Sequence, residues 1–368
     1  MGGCFCYAIC FDSLLLLLFF LIFADGLPAP EFDIINTKAP LWRDPLYDGA
    51  ADPTISYDFL TQEWFIHYTQ RRASDRTLGN RSWCFGTDIA AAVSADKGIT
   101  WKYLGPARGL KWEEGINTFW APDIFLGKDG RHHMFLTYIS HRTLRGGGTS
   151  WRGGTQRVAH YSSESLRGPW HFYGLIPNLV NVLDPDVRQL PDGRYKMWFK
   201  DIRARGQTGA AISSDLKVWE RLSALETNGV PPHEAPNCFF WKGFWWLLVD
   251  PMAAPGIFVL RSTDALNWVR QEQPILHFGG VRPLDANDGN HVDVVVLDNE
   301  RALVFYFVHP GRPCCESDRR SLQFRYSAIQ VAELEFVRSP DGQGRLKCRR
   351  DKYVQWKRRV KKREKEGT

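Results

Sequence analysis

The run LDPDVRQLPDGRYKMWFKD, Leu183 to Asp201, decides how this chain is read. An Asp-Pro pair opens it, a mixed apolar strand follows, Asp192-Gly193 turns the chain, and an aromatic-rich strand returns. An Asp-Gly pair between two strand-like runs is the chemistry of a tight hairpin. The continuation AAISSDLKVWERL, from Ala210, supplies a third strand that ends in Ser-x-Asp and a Trp. A short acidic side chain closes such a turn on the backbone, and the Trp packs between sheets.

Four further segments repeat this grammar. They are ADPTISYDFLTQEWFIHYTQ from Ala51, FWAPDIFLGKDGRHHMFLTYIS from Phe119, HEAPNCFFWKGFWWLLVD from His233 and NHVDVVVLDNERALVFYFVHP from Asn290. Asp129-Gly130 and Lys242-Gly243 turn two of them, and Ser94/Asp96/Trp101 and Ser262/Asp264/Trp268 repeat the closing pattern of Ser213/Asp215/Trp219. Alternation such as Trp64/Ile66/Tyr68 against Phe65/His67/Thr69 sends one set inward and the other outward. Five units of roughly 40–60 residues predict an all-β protein, a five-bladed β-propeller whose blades bury their faces on one another. A β-sandwich with insertions is the competing arrangement.

Composition agrees. The 368 residues are 44% apolar and 14% aromatic, which excludes a disordered chain, and 32 Gly with 21 Pro provide many turns. The net charge of +6 misleads, because residues 349–368 hold ten Lys or Arg against three acids and the remainder is close to neutral. Basicity is therefore no argument for nucleic-acid binding. Ser13 to Ala24 (SLLLLLFFLIFA) has the length of a signal-peptide core, although no Lys or Arg precedes it. The expected organisation is a signal peptide or signal anchor over 1–26, a propeller over 27–345 and a disordered basic tail over 346–368. A cleaved leader implies a secreted protein with no stable membrane insertion; an uncleaved one implies a membrane anchor. Asn80-Arg81-Ser82 is a glycosylation sequon. Beyond the leader remain Cys84, Cys238, Cys314, Cys315 and Cys348, without CxxC spacing, so no zinc site is expected.

The innermost strand of each blade begins at one mouth, so the first residues of the five units converge there. They are Asp52, Trp120 to Asp123, Asp184, His233-Glu234 and Asn290-His291. Like charges around a narrow axis repel, so acids gathered at these openings point to chemistry rather than architecture. The glycine-rich stretch Gly146 to Gly154 has no helix at Walker spacing after it. It reads as a rim loop, with Arg145 and Arg152 as contacts to an anionic ligand. Neither Gly-x-Ser-x-Gly nor His-Glu-x-x-His occurs, which removes esterase and zincin readings.

ADPTI, FWAPDI, LDPDV and HEAPNCFFWKGFWWL, in that order, resemble the five-bladed glycoside hydrolases of family 43 and the related family 117. The resemblance implies Asp52 as general base, Asp184 as the acid's pKa modulator and Glu234 as general acid. Inversion needs two carboxyl groups roughly 6.5–9.5 Å apart on opposite faces of the sugar, a gap that strands across a mouth can supply. A raised pKa on the acid is what a neighbouring carboxylate such as Asp184 provides. His233 is a rival acid, since the family 117 branch has a His-Glu pair here. Asp44-Pro45 duplicates the Asp-Pro signature, which makes Asp44 a rival to Asp52. Asp123, Trp120 and His291 are expected to bind substrate, with Trp120 stacking on a sugar ring; Trp42, Trp83 and Trp112 are weaker candidates for that platform. No cofactor is required, but His291 is the position through which relatives hold a structural Ca²⁺ by way of water. The partner is then a carbohydrate, a plant or algal wall oligo- or polysaccharide. The competing readings are a lectin-like propeller without catalysis and a phosphorylase or transferase using Arg188, Arg203 and Arg205.

Overall fold

The computed structural model describes residues 36–75, 77, 84–96, 98–140, 155–223, 229–312, 321–338 and 342–356. The apolar leader, the sequon, Trp83, the glycine-rich stretch and Cys314-Cys315 lie outside them. No helix among the described residues is long and apolar enough to cross a membrane.

Five antiparallel sheets follow one another around a central axis. A short strand, β1 (Trp42–Arg43), precedes the first. Blade one is β2 (Ala50–Asp58), β3 (Glu63–Gln70), β4 (Asp88–Ser94) and β5 (Lys102–Pro106). Blade two is β6 (Thr118–Leu126), β7 (His132–Ile139), β8 (Gln156–Ser163) and β9 (His171–Val180). Blade three is β10 (Val182–Gln189), β11 (Tyr195–Asp201), β12 (Gln207–Ser213) and β13 (Glu220–Arg221). Blade four is β14 (His233–Trp241), β15 (Phe244–Pro251), β16 (Phe258–Ser262) and β17 (Val269–Arg270). Blade five is β18 (Asn290–Val296), β19 (Ala302–Val308) and β20 (Ala328–Arg338), with β1 and β21 (Gly344–Cys348) both paired to the outer edge of β20. The expected propeller is the fold observed.

The alternation of the second strands has a different meaning from the one expected. Neither face meets solvent, because each set packs against a different neighbouring blade. Ile66 and Tyr68 join Phe305 and Ile329 between blades five and one, while Phe65 joins Phe119 and Leu136 between blades one and two. Trp198 packs with Leu247 and Trp268, and Met197 and Phe199 pack with Phe135 and Trp219. Trp246 and Leu248 meet Val304 and Tyr306. Two-sided burial is why these strands read as near-continuous apolar runs. The Ser-x-Asp turns form as expected: Asp215 Oδ1 accepts the N–H groups of Lys217 and Val218 at 2.9 Å, and Asp264 Oδ1 those of Leu266 and Asn267 at 2.8 Å.

The ring closes through the two ends of the described chain. Trp42 and Arg43 pair with Ile329 and Ala328, and Leu334 to Arg338 pair with Cys348 to Gly344. The boundary expected at residue 345 therefore falls inside a strand. Leu346 is buried in the core, and Val354 and Trp356 complete the seam between blades five and one. The basic composition hid this because β21 turns Arg345 and Lys347 outward and Leu346 inward. Arg350 is buried too: its Nη2 lies 2.7 Å from Asp285 Oδ1, and Arg282 Nη2 is 3.0 Å from Asp285 Oδ2. Cutting one partner from a buried ion cluster strands the others without water. Arg350→Met is expected to cost ~3 kcal/mol, read as a lower urea midpoint with an unchanged slope; an unchanged midpoint would leave residues 349–356 outside the cooperative fold.

Candidate active site

All five innermost strands lose register at one level. The break falls between Ala51 and Thr54, Trp120 and Asp123, Leu183 and Asp186, Glu234 and Asn237, and Asn290 and Asp293. A left-handed residue sits at each: Asp52 (φ 50°), Ala121 (φ 47°), Asp184 (φ 55°), Ala235 (φ 52°) and His291 (φ 38°). Pro53, Pro122, Pro185 and Pro236 follow in four blades and Val292 in the fifth. A bulge leaves a backbone N–H without a ladder partner, so a proline is tolerated there. Left-handed backbone costs about 1–3 kcal/mol at a residue other than glycine, and the surroundings must over-determine it.

Hydrogen bonds between blades do that. Ala121 N–H donates to Thr69 Oγ1 at 2.8 Å, Asp184 N–H to Thr137 Oγ1 at 2.9 Å and His291 N–H to Asp250 Oδ2 at 3.0 Å. Thr69, Thr137 and Asp250 are the register partners of Ala51, Trp120 and Glu234, the same position in three blades. Blade three has Lys200 there, paired with Leu183. An ammonium cannot accept, so Ala235 N–H turns to Asp184 Oδ2 at 3.1 Å. Lys200 Nζ is thereby released to Glu234 Oε2, 2.9 Å away.

Asp52, Asp184 and Glu234 line one cavity of about 70 Å³ with Arg71, Cys84, Trp120, Leu183 and His291. Two larger grooves, of about 630 and 510 Å³, run along residues 345–355 and are not lined by Asp52, Asp184 or Glu234. Glu234 stands one residue before the left-handed position, whereas Asp52 and Asp184 occupy it. The electrostatics differ among the three. Burial alone would raise Asp52, but Arg71 and His291 outweigh it and hold the carboxyl below the usual range. Arg71 Nη2 lies 3.1 Å and His291 Nδ1 3.5 Å from Asp52 Oδ1. Burial, with the Glu234 charge adding to it, pushes Asp184 up to about 6. Burial and then Glu234 hold Asp250, a fourth carboxyl, well above its ordinary value.

The other expected residues divide. His291 and Trp120 line the cavity; Trp120 is a wall fixed by its Nε1–H donating to Cys84 O at 2.8 Å. His233 does not line it. It is fully buried, with Nε2 2.6 Å from Thr208 Oγ1 and Nδ1 2.8 Å from Pro231 O, because the strand alternation that exposes Glu234 turns its neighbour inward. Asp44 is buried elsewhere as an anchor, accepting from Tyr68 Oη at 2.6 Å and Gln70 Nε2 at 2.8 Å. Asp123 falls beyond the bulge, deeper on the axis, where Arg188 lies 3.0 Å from it and 2.7 Å from Asp186. That cluster also absorbs Arg188 as an anion-binding candidate, and neither Arg203 nor Arg205 lines the cavity. Trp42 is core, and Trp112 stacks on Phe172 at 4.5 Å. Sequence reading missed Arg71, Cys84, Leu183, Lys200 and Asp250. The signal that finds Lys200 and Asp250 is their register opposite the residue before each bulge.

Among the described residues, no group of three or more His, Cys, Asp or Glu is arranged to hold a metal. Ca²⁺ takes six to eight oxygen ligands. Asp52 is committed to Arg71, and Asp123 and Asp186 on the axis are committed to Arg188, so the residues beside His291 do not compose a calcium cage.

A scan against protein-family models finds no match, and neither does a comparison with curated protein sequences. Solved structures do match. A thermostable family-43 glycoside hydrolase is similar with a TM-score of 0.60 and 16% identity over 86% of this chain and 100% of its own. The Xanthomonas citri family-43 enzyme complexed with xylotriose matches with a TM-score of 0.60 and 14% identity over 84% and 92%. A family-43 β-1,3-galactosidase with galactodeoxynojirimycin matches with a TM-score of 0.59 and 16% identity over 85% and 98%. The chain therefore has the five-bladed fold of these glycoside hydrolases.

The raised Asp184 carries a sign. It binds its proton up to about pH 6 when folded, against about pH 4 when unfolded. Its stability cost is absent below pH 4 and complete above pH 6. Asp184→Asn keeps an acceptor for Ala235 N–H and removes the buried charge. Relative to wild type it should gain on the order of 3 kcal/mol more at pH 7 than at pH 4, read from urea unfolding at both values. An equal difference at the two values would mean that Asp184 titrates at its ordinary pH in the folded protein.

Proposed function

We propose that the propeller mouth is the active site of an inverting glycoside hydrolase. Asp52 is the general base: it takes a proton from a water that attacks the anomeric carbon. Glu234 is the general acid: it gives its proton to the glycosidic oxygen as the C–O bond breaks. Asp184, between them in chain order, is the charge that tunes the acid. The observation that carries this reading is the shared cavity, in which carboxyls from blades one, three and four meet, Asp52 held low and Asp184 raised. A base must stay ionised, and Arg71 and His291 favour that at Asp52. Lys200 Nζ lies 2.9 Å from Glu234 Oε2, so a leaving-group oxygen that enters the cavity to meet Glu234 displaces that contact. Trp120 offers an apolar wall to the sugar ring, and His291 a hydrogen bond to a hydroxyl beside Asp52.

The substrate class is a plant or algal wall saccharide, a reading supported by the xylotriose and galactodeoxynojirimycin bound to similar folds. The apolar run before Ala24 and the sequon at Asn80 support secretion as a glycoprotein. One observation favours a second reading, a sugar-binding propeller without turnover: the Lys200 ammonium already occupies Glu234 Oε2, the oxygen an acid would turn to the leaving group.

One variant separates the two. On aryl β-xylosides, α-arabinofuranosides and β-galactosides, Glu234→Gln should lose about 10²–10⁴-fold in kcat, while calorimetry with xylose or galactose gives unchanged affinity. Sugar binding by a wild-type protein that turns over none of these, nor wall oligosaccharides, would leave the lectin-like reading.

A further inference from the structure

Position by position, the blades agree on what stands two residues beyond the second-strand register partner. In blades two, three and four it is Ile139, Ile202 and Met252. In blades one and five it is Arg71 and His309. The two polar exceptions face each other across the seam between blades five and one, beside Asp52. Arg71 Nη1 lies 3.2 Å from His309 Nε2, and Arg71 Nη2 lies 3.1 Å from Asp52 Oδ1 and 3.5 Å from Oδ2. The guanidinium also rests on the Phe307 ring, 4.8 Å from its centroid.

The tautomer of His309 follows from its surroundings. Nδ1 lies 2.9 Å from Tyr326 O, a carbonyl that can only accept, so Nδ1 carries the hydrogen. Nε2 is then a lone pair, the one partner a guanidinium N–H can use. Burial, with Arg312 and Arg71 nearby, keeps His309 far below its ordinary pKa, so the ring is neutral and stays an acceptor through the working pH range. The chain runs Tyr326 C=O, His309, Arg71, Asp52, each link with one permitted direction.

We propose that Arg71 and His309 form a positioning pair that holds Asp52 as an oriented, ionised base at the seam between blades five and one. This rests on the reading of Asp52 given above. Neither residue exchanges a proton with substrate. His309 aims the guanidinium, and the guanidinium holds the carboxylate. Other titratable or charged groups facing Asp52 are His291 on β18, Asp184 on β10, Asp250 on β15 and Glu234 on β14. Of these, His291 also favours the ionised form, at 3.5 Å, and the carboxyls oppose it.

The test titrates Asp52 itself in the whole chain, by carbon-13 NMR of Cγ-labelled aspartates assigned by difference from Asp52→Asn. Arg71→Met should move the Asp52 midpoint up by about one to three pH units. His309→Leu should produce part of that shift, and His309→Gln, which keeps an acceptor at the Nε2 position, should restore most of it. The acidic limb of kcat/KM on the aryl glycosides should move with the NMR midpoint. Where Arg71→Met fails to fold by circular dichroism, Arg71→Lys with the two His309 variants decides the matter. An Asp52 midpoint unmoved by the loss of Arg71, or equal in His309→Leu and wild type, overturns the pair. A midpoint that moves while the acidic limb stays fixed, or while no variant has activity, upholds the control of Asp52's charge by the pair and removes Asp52 from the role of base.

Discussion

Five residues held in left-handed backbone, one per innermost strand, are the constraint on which the mouth depends. Each turns its strand so that the side chain before it and its own side chain reach the axis at one level. Four of them are clamped by an acceptor from the blade before: Thr69 for Ala121, Thr137 for Asp184, Asp250 for His291 and Asp184 for Ala235. Strain in one blade is thus held by its neighbour, and no blade builds its share of the cavity alone. The price is a set of polar acceptors buried on second strands, which the repeat supplies as threonine unless the site needs something else.

Where it needs something else, the repeat breaks, and the breaks cluster. Lys200 replaces an acceptor and binds Glu234; Asp250 replaces a threonine and adds a carboxyl; Arg71 and His309 replace aliphatic residues beside Asp52. A repeated fold is its own control for such substitutions. Arg71 and His309 depart from the aliphatic residue that the other three blades share at this place, and they mark what the site demands beyond the architecture.

The fold was legible in the sequence because hairpin turns, Asx-closed corners and two-sided apolar strands are local signals, and five copies reinforced one another. The openings were legible too, since a proline after each bulge is local chemistry in four of the five blades. What stayed hidden depended on register. Asp123 looks like Asp52, since both flank a proline, but it follows Pro122 where Asp52 precedes Pro53, and that puts Asp123 on the far side of the bulge with Arg188. His233 and Glu234 are adjacent, and only the direction of the strand decides which meets the cavity. Arg71 and His309 come together from opposite ends of the chain, a pairing that no spacing rule encodes. The basic stretch after residue 345 concealed a strand because its cations face out and its few apolar groups face in.

The two ends of the described chain meet on blade five. Asn36 bridges Gln355, Thr37 N–H donates to Val354 O at 3.0 Å, and β1 and β21 share one edge of β20. Mechanically the ring is closed at one clasp, where both ends of the described chain lie. Tension applied to either end, by a tether or a translocating motor, loads the boundary between blades five and one first. That boundary is the one Arg71 and His309 span, so load there bears on the contact that holds Asp52.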